Sequence, residues 1–185
     1  MITADDHRHL IYLTGFMGSG KSTIAPILAN TLGYRHIDID KEIEKITGKK
    51  VSEIFSDFGE PYFRKAEYSI LQEASTQTGC VVSLGGGTIA GDANLHLVKS
   101  TGILIYLKIE PEQIFKRMKY KTDRPLLRSP DGTTVSDQEL HQRIQMLLQM
   151  REPFYAKADI TITTDNRRVG ITVDEIVHAL KSFHK

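Results

Sequence analysis

Short apolar runs alternate with amphipathic stretches along the chain. Three runs are apolar and rich in β-branched residues, as buried strands are, and they lie at 10–14, 80–84 and 102–109. Two more polar runs, 34–40 and 159–164, are also predicted as strands. Helices are predicted at 21–32, 40–48, 60–78, 111–120, 137–156 and 172–183. Strands that alternate with helices predict a parallel sheet covered on both faces, with the ligand beyond the carboxyl ends of its strands.

Local signals set the ends and faces of several elements. Gly33 predicts the end of the first helix, and Pro26 inside that helix predicts a bend. Residues 119–135 are polar and contain two prolines and a glycine, so they are predicted as a loop. The helix at 137–156 carries an apolar face of Leu140, Ile144, Leu147 and either Met150 or the nearby Leu148.

Composition narrows the class of protein. With 185 residues, 40% hydrophobic and 25% charged, the chain is expected to form one globular domain. A net charge of +1 gives no indication of a nucleic-acid or membrane partner. The single cysteine, Cys80, cannot form an internal disulfide, and no apolar run approaches the ~18 residues of a membrane span. We therefore expect a cytoplasmic protein.

The segment GFMGSGKST (15–23) connects the first strand to the first helix and predicts a phosphate-binding loop. Gly15, Gly20, Lys21 and Ser22 fit the pattern G-x-x-x-x-G-K-[ST], in which backbone N–H groups cradle phosphates. Lys21 is expected to contact the β and γ phosphates of ATP, and Ser22 to bind Mg²⁺. A Rossmann loop would need glycine or alanine at position 23. The predicted nucleotide-binding residues of the loop are Gly18, Ser19, Gly20, Lys21, Ser22 and Thr23.

Two acids follow the second strand. In an extended strand, Asp38 and Asp40 point to the same side, and the other apolar strands end without an acid. By elimination Asp38 is predicted as the carboxylate on the metal side, and Asp40 as the group that accepts or orients a hydroxyl proton. The alternative is that both acids only cap the helix at 40–48.

A second group of residues is suited to an anionic acceptor. Arg64 and Glu67 are three residues apart on one predicted helical face, so the acid can hold the guanidinium. Arg151 ends the long helix and could serve the same ligand. The run GGG (85–87) follows a central strand and would let the backbone approach a ligand closely. The alternatives are that each arginine alone is a solvated surface charge and that the glycines form a plain turn.

Arg124 lies in the predicted loop and precedes a proline. A loop of this length is suited to a lid that brings an arginine to a transferring phosphoryl group. The alternative is an ordinary exposed arginine. The seven histidines show no spacing typical of a zinc site.

Taken together, these segments resemble shikimate kinases. GFMGSGKST, DID, IFSDFGEPYFRKAE, SLGGGT, DRPLL and REPFY occur in the family's order, and the resemblance covers about residues 10–181. It implies that Asp38 is the metal-side acid, that Asp40 acts on the reacting hydroxyl, and that Arg124 is the lid arginine. It places shikimate at Arg64, Arg151 and Gly85, Gly86 and Gly87, with Glu67 supporting Arg64. Arg117 and Arg168 would pack near adenine, although Arg167 is adjacent to the latter.

The resemblance also implies an architecture and a reaction. The fold would be a three-layer α/β/α sandwich with a five-stranded parallel sheet in the order 2-3-1-4-5. One kinase domain would span 1–185, with a substrate-binding region at about 38–68 and a lid at about 119–135. The expected reaction is Mg²⁺- and ATP-dependent phosphorylation of the 3-hydroxyl of shikimate, by a monomer. Gluconate-type sugar acids and nucleoside monophosphates are rival acceptors, and a catalytically silent nucleotide-binding relative is a rival class.

Overall fold

The computed structural model describes residues 10–119 and 135–183. Five strands and seven helices alternate along these residues. In chain order they are β1 Leu10–Thr14, α1 Lys21–Leu32, β2 Arg35–Asp38, α2 Ile39–Thr47, α3 Val51–Ser75, β3 Cys80–Ser83, α4 Asp92–Thr101, β4 Ile103–Lys108, α5 Pro111–Met118, α6 Asp137–Tyr155, β5 Ile160–Thr163 and α7 Val169–Phe183.

The five strands form one sheet in the order β2-β3-β1-β4-β5. Every neighbouring pair is parallel, which confirms the predicted sheet and its order. Parallel pairing places the carboxyl ends of all strands at one edge. The phosphate-binding loop after β1 and the glycine run after β3 therefore start from the same edge, side by side.

Helices cover both faces of the sheet, and strand alternation divides the core in two. Leu10 and Tyr12 of β1 contribute to one cluster, which also contains buried residues of α2 to α6. Ile11 and Leu13 point the other way and pack with α1 and α7. This confirms the three-layer arrangement.

The junction between β2 and α2 differs from the prediction. The strand ends at Asp38 and the helix begins at Ile39, so the predicted strand 34–40 is too long. The Asp38 side chain accepts a hydrogen bond from the Lys41 backbone N–H at 3.2 Å and caps α2. Ile39 is fully buried, which anchors the first turn. Asp40 therefore lies on a helix, and the prediction that it continues the strand is wrong.

Three further helices differ from the prediction. α3 spans Val51–Ser75 instead of the predicted 60–78 and passes through a non-helical residue, Gly59, at φ 78° and ψ 171°. α4 was not predicted, and α7 begins at Val169 instead of 172. In α6, Leu148 packs against the core while Met150 is 56% exposed, which settles the choice between the two residues.

The lid prediction concerns residues that lie mostly outside the described ranges. Most of the predicted lid, including Arg124, falls at 120–134, and the first nine residues are also outside. Within the described part of the chain, no helix is long and apolar enough to cross a membrane. Cys80 opens β3 as a free, buried thiol between β1 and β2.

Candidate active site

The phosphate-binding loop occupies the carboxyl end of β1 and is pressed against β4. Gly15 has a φ of 144°, and a Cβ there would lie 2.6 Å from the Leu107 carbonyl oxygen. Gly20 precedes α1 in a left-handed conformation at φ 99°. Both positions exclude other residues on backbone grounds, so the glycines of the motif are explained by the fold itself.

Lys21 folds back over this loop. Its Nζ donates to the backbone oxygens of Gly15 at 2.6 Å and Phe16 at 3.2 Å. Lys21, Ser22 and Thr23 line a cavity of about 730 Å³, whereas the Ser19 side chain is fully buried beside Gly15. The ammonium group is thus held at the place where the motif predicts phosphates.

Asp38 and Asp40 line the same cavity from the opposite side. Asp38 is at the end of β2 and Asp40 in the first turn of α2. Their grouping was predicted correctly, but the reason is the strand-to-helix junction and not strand alternation. The alternative, that both acids only cap the helix, is right about capping for Asp38 alone, because Asp38 is the N-cap of α2 and Asp40 is not.

Ser83 is a cavity residue that the sequence prediction left out. It pairs with Asp38 across β2 and β3, lines the cavity, and its Oγ lies 3.2 Å from His36 Nε2. Burial lowers the pKa of His36, and the nearby Asp38 carboxylate only partly opposes this shift. The position of Ser83 at the carboxyl end of β3 is the sequence signal for its place in the cavity, although its hydroxyl is not an acid.

Arg64 and Glu67 form the base of a second, smaller pocket. Arg64 Nη1 donates to Glu67 Oε2 at 2.7 Å, and Glu67 is fully buried. Thr88 Oγ1 donates to the other oxygen of that carboxylate at 2.6 Å. The predicted support of Arg64 by Glu67 is present in this geometry, and Thr88 is an additional contact that the sequence did not reveal.

Glu60 is a second acid on Arg64 that was not predicted. Its Oε1 accepts from Arg64 Nε at 3.1 Å and from Nη2 at 2.9 Å. Burial lowers the pKa of Arg64, but the Glu67 and Glu60 carboxylates outweigh burial and leave the pKa raised. The guanidinium is therefore charged and fixed, with N–H donors left for a further anion.

The glycine run provides space for charged side chains. At Gly85 a Cβ would lie 2.9 Å from Glu67 Oε1 and 3.0 Å from Asp40 Oδ1, and at Gly87 it would lie 2.7 Å from Arg64 Nη2. None of the three glycines has a positive φ. Glycine is needed at these positions because a Cβ would collide with the neighbouring charged side chains, and not because the backbone is left-handed.

Arg151 approaches the run from α6. It is only 9% exposed, and its guanidinium lies 5.7 Å from the centre of the Phe16 ring. A Cβ on Gly86 would be 3.2 Å from Arg151 Nη1. Arg64 and Arg151 thus line one pocket with the glycines, as predicted.

The two pockets share four lining residues, Met17, Asp40, Val51 and Gly86. Asp40 is the one shared residue with an ionisable side chain. A ligand in the arginine pocket and a phosphate chain on the loop would therefore meet beside its carboxylate.

Of the two residues predicted near adenine, Arg117 lines the larger cavity and Arg168 does not. Arg117 lines the larger cavity, and its guanidinium donates to the Gly18 oxygen at 2.7 Å and the Asp165 oxygen at 2.8 Å. Arg168 is exposed and is not among the residues that line this cavity. Its neighbour Arg167 is engaged with Asp165 and Glu175.

Comparison with known proteins agrees with this geometry. A family model described as shikimate kinase matches residues 17–181. The shikimate kinase of Chlorobaculum parvum is 47% identical to the chain, over 95% of the chain and 94% of its own length. That of Chlorobaculum tepidum is 48% identical, over 95% of the chain and 92% of its own length. The chain belongs to the shikimate kinase family.

Solved structures support this family assignment and the fold. The shikimate kinase of Acinetobacter baumannii in complex with shikimate is 33% identical, has a TM-score of 0.86 and covers 95% of this chain and 94% of its own. A gluconokinase of Sinorhizobium meliloti matches at a TM-score of 0.58 and 16% identity, over 96% of this chain and 94% of its own. That second likeness concerns the fold alone. Membership in the shikimate kinase family makes the chain a kinase that uses ATP as co-substrate.

Proposed function

We propose that the chain transfers the γ-phosphoryl group of ATP to the 3-hydroxyl of shikimate and releases ADP. The observation that carries this proposal is the arginine pocket, where Arg64 and Arg151 converge on Gly85–Gly87 next to Asp40. Two arginines suit one carboxylate, and Asp40 lies where the hydroxyl of the same ligand would meet the phosphate chain. The A. baumannii relative, with shikimate bound, supports this acceptor.

We propose Asp40 as the base that accepts the proton of the shikimate hydroxyl. Its carboxylate would orient the hydroxyl for attack on the γ-phosphorus and accept the proton as the new P–O bond forms and the bond to ADP breaks. Asp40→Asn keeps the shape but removes the base, so kcat is expected to fall by ~100-fold or more while shikimate still binds.

Ser22 and Asp38 would hold Mg²⁺ together with the phosphates. Both line the larger cavity and offer oxygen atoms, the donors that Mg²⁺ prefers. The bound ion would neutralise charge on the β and γ phosphates, while Lys21 contacts the same groups. Lys21→Ala should cut activity by ~100-fold or more without unfolding the chain, and excess EDTA should abolish turnover.

Arg124 is proposed as a lid residue that meets the transferring phosphoryl group. The support is its place in a polar, proline-containing segment that joins α5 to α6, the helix that carries Arg151. Such a residue acts as charge develops, so Arg124→Ala should lower kcat much more than it weakens shikimate binding. An unchanged kcat at saturating substrates would reduce Arg124 to a surface charge.

The remaining proposals concern organisation. We propose a single kinase domain over 1–185, with an acceptor region at about 38–68 and a lid at about 119–135, that works as a cytoplasmic monomer. The roles of Ser19, Thr23, Arg117 and Arg168 in nucleotide binding also stay proposals. The net charge of +1 supports small-molecule partners over nucleic acid.

One assay tests the proposed function. ADP release is measured with shikimate, gluconate, a nucleoside monophosphate or no acceptor, for the wild type and for Arg64→Lys. Lysine keeps the charge beside buried Glu67 but loses the planar fork, so the KM for shikimate should rise at least about tenfold with a smaller change for ATP. Phosphorylation of gluconate or a monophosphate without shikimate would overturn the acceptor assignment. Tight ATP binding with no acceptor phosphorylated would indicate a silent relative.

A further inference from the structure

Tyr155 is the last residue of α6 and takes no part in the reaction described above. It is 1% exposed and lies four residues after Arg151, so both side chains project from the same side of the helix. The Tyr155 phenol and the Arg151 guanidinium therefore both lie next to Gly86, the middle residue of the glycine run.

The Tyr155 hydroxyl donates a hydrogen bond to the Gly86 carbonyl oxygen. This carbonyl and the Gly87 N–H belong to one planar peptide unit, and no cis peptide bond occurs in the part of the chain that the structure describes. In a trans unit the two groups point in opposite directions. By holding the carbonyl, Tyr155 fixes the direction of the Gly87 N–H, away from the phenol.

The same hydroxyl is close to Arg151. Burial raises the pKa of Tyr155 to about 12, although the neighbouring Arg151 guanidinium lowers it. The phenol thus keeps its proton at neutral pH, and this proton forms the hydrogen bond to the Gly86 carbonyl oxygen. Its oxygen can still accept from Arg151. One buried hydroxyl therefore connects the backbone and one of the two arginines that line the acceptor pocket.

The ring of Tyr155 provides an internal comparison. It stacks on Tyr106 at a centroid distance of 4.9 Å and an angle of 27°. Neither tyrosine lines the acceptor pocket itself. The Tyr106 hydroxyl donates to Glu152 Oε2 at 2.8 Å, and Glu152 is not a lining residue either, whereas the Tyr155 hydroxyl donates to Gly86, which is. The two phenols thus form one buried stack, but of the two only the Tyr155 hydroxyl is hydrogen-bonded to a residue that lines the acceptor pocket.

We propose that Tyr155 is a positioning residue for the acceptor: its hydroxyl sets the Gly86–Gly87 peptide and the Arg151 guanidinium for binding of the acceptor's carboxylate. This inference rests on the proposed function, because it assumes an acid in the arginine pocket. It assigns Tyr155 a larger contribution to acceptor affinity than to nucleotide affinity, because Gly86 lines both cavities whereas Gly87 and Arg151 line only the acceptor pocket.

The test compares Tyr155→Phe with Tyr106→Phe. Each variant keeps the ring stack and removes one hydroxyl. Loss of one hydrogen bond corresponds to about a two- to tenfold change in affinity, so Tyr155→Phe should raise the KM for shikimate by about that factor. The KM for ATP should stay within about twofold, and Tyr106→Phe should leave both KM values within that range. The melting temperature is measured for both variants.

Each other outcome has a defined meaning. An unchanged KM for shikimate in Tyr155→Phe, or equal rises in both variants, would show that the hydroxyl is only structural and overturn the inference. If Tyr155→Phe fails to fold, Tyr155→Met removes the hydroxyl with a more adaptable side chain and must give the same selective rise. If the wild type itself does not phosphorylate shikimate, the proposed function fails first, and this inference fails with it.

Discussion

Arg64 lies directly on the backbone of Gly87, so a single methyl group at this position tests the acceptor pocket. An added Cβ would lie 2.7 Å from Nη2 and 3.3 Å from Cζ of that guanidinium. Gly87→Ala is therefore expected to displace Arg64 and raise the KM for shikimate by about tenfold or more, the equivalent of ~1.4 kcal/mol of binding free energy. The KM for ATP should change little.

Gly91→Ala is the matched control for this variant. Gly91 precedes α4 with a φ of −125°, and nothing lies within 4 Å of an added Cβ. The control should leave both KM values unchanged. Equal KM values for shikimate in Gly87→Ala and the wild type would contradict the contact described here.

Glu60 is expected to weaken binding of an anionic acceptor. Arg64 interacts with two carboxylates, and Glu67 is buried while the Glu60 side chain is 55% exposed. Glu60→Gln removes one negative charge but keeps an acceptor oxygen for Arg64. The KM for shikimate should fall by about two- to fivefold at low salt, because exposed charges at short range contribute up to about 1 kcal/mol.

The effect of Glu60→Gln should shrink at high salt, where such charges are screened. Asp57→Asn, on the same helix and paired with Lys49 instead of Arg64, is the control and should not change this KM. A higher KM in Glu60→Gln would mean that Glu60 mainly holds Arg64 in place.

The break in α3 determines where Arg64 and Glu67, the acceptor-pocket residues of this helix, lie. Gly59 has φ 78° and ψ 171°, a conformation almost restricted to glycine, and the helical segment after it carries Arg64 and Glu67. Gly59→Ala should lower the free energy of unfolding by about 1–3 kcal/mol and raise the KM for shikimate, because the segment must shift to relieve strain. Urea denaturation and steady-state kinetics measure the two effects.

Gly48→Ala is the control that separates the effect of backbone strain from that of displacing the helical segment with Arg64. Gly48 ends α2 at φ 67°, and nothing lies within 4 Å of an added Cβ. It should lower stability by about 1 kcal/mol and leave the KM for shikimate unchanged. If both variants changed the KM alike, the break in α3 would have no particular role in placing Arg64.

The sequence predicts elements well where one local pattern dominates. The strands around Ile11, Val82 and Leu104 are apolar and β-branched, and they were predicted almost to their ends. The β2–α2 junction was misplaced because Asp38 can end a strand or cap a helix, and only its bond to the Lys41 N–H decides. α4 was missed because it has only two buried residues, Leu95 and Val98.

The same distinction applies to the site. Lys21 and Ser22 could be predicted because a contiguous motif fixes their geometry. Arg64 and Glu67 could be predicted as a pair because helical spacing brings them together. Thr88 and Tyr155 contact the site only through the packing of α3 and α6 against the loop after β3. No local pattern encodes such contacts.

Ligand binding should stabilise the whole fold. The acceptor pocket joins α3, the loop after β3 and α6, so a bound acid connects elements from three parts of the chain. Shikimate at 100 times its Kd should add about 2.7 kcal/mol to stability and raise the Tm by about 5–10 °C. Thermal denaturation with and without shikimate measures this shift.

Arg64→Lys gives the control for this shift. At the same shikimate concentration the rise in Tm should be much smaller, because the weaker ligand no longer saturates the site. The rise caused by ADP should stay the same, since Arg64 does not line the nucleotide cavity. An equal shikimate shift in both proteins would place the acceptor elsewhere.

The position of the lone thiol makes the chain a reporter of its own unfolding. Cys80 is fully shielded, and β1 and β2 flank it at Leu10 and Arg35. A thiol-reactive dye can therefore reach this sulfur only after β1 or β2 has separated from β3, so the labelling rate reports openings of the sheet and not surface fluctuations. Shikimate at 100 times its Kd should slow labelling about 100-fold. Because the chain contains no other cysteine, the readout needs no mutation, and rapid labelling in native buffer would contradict the burial of Cys80.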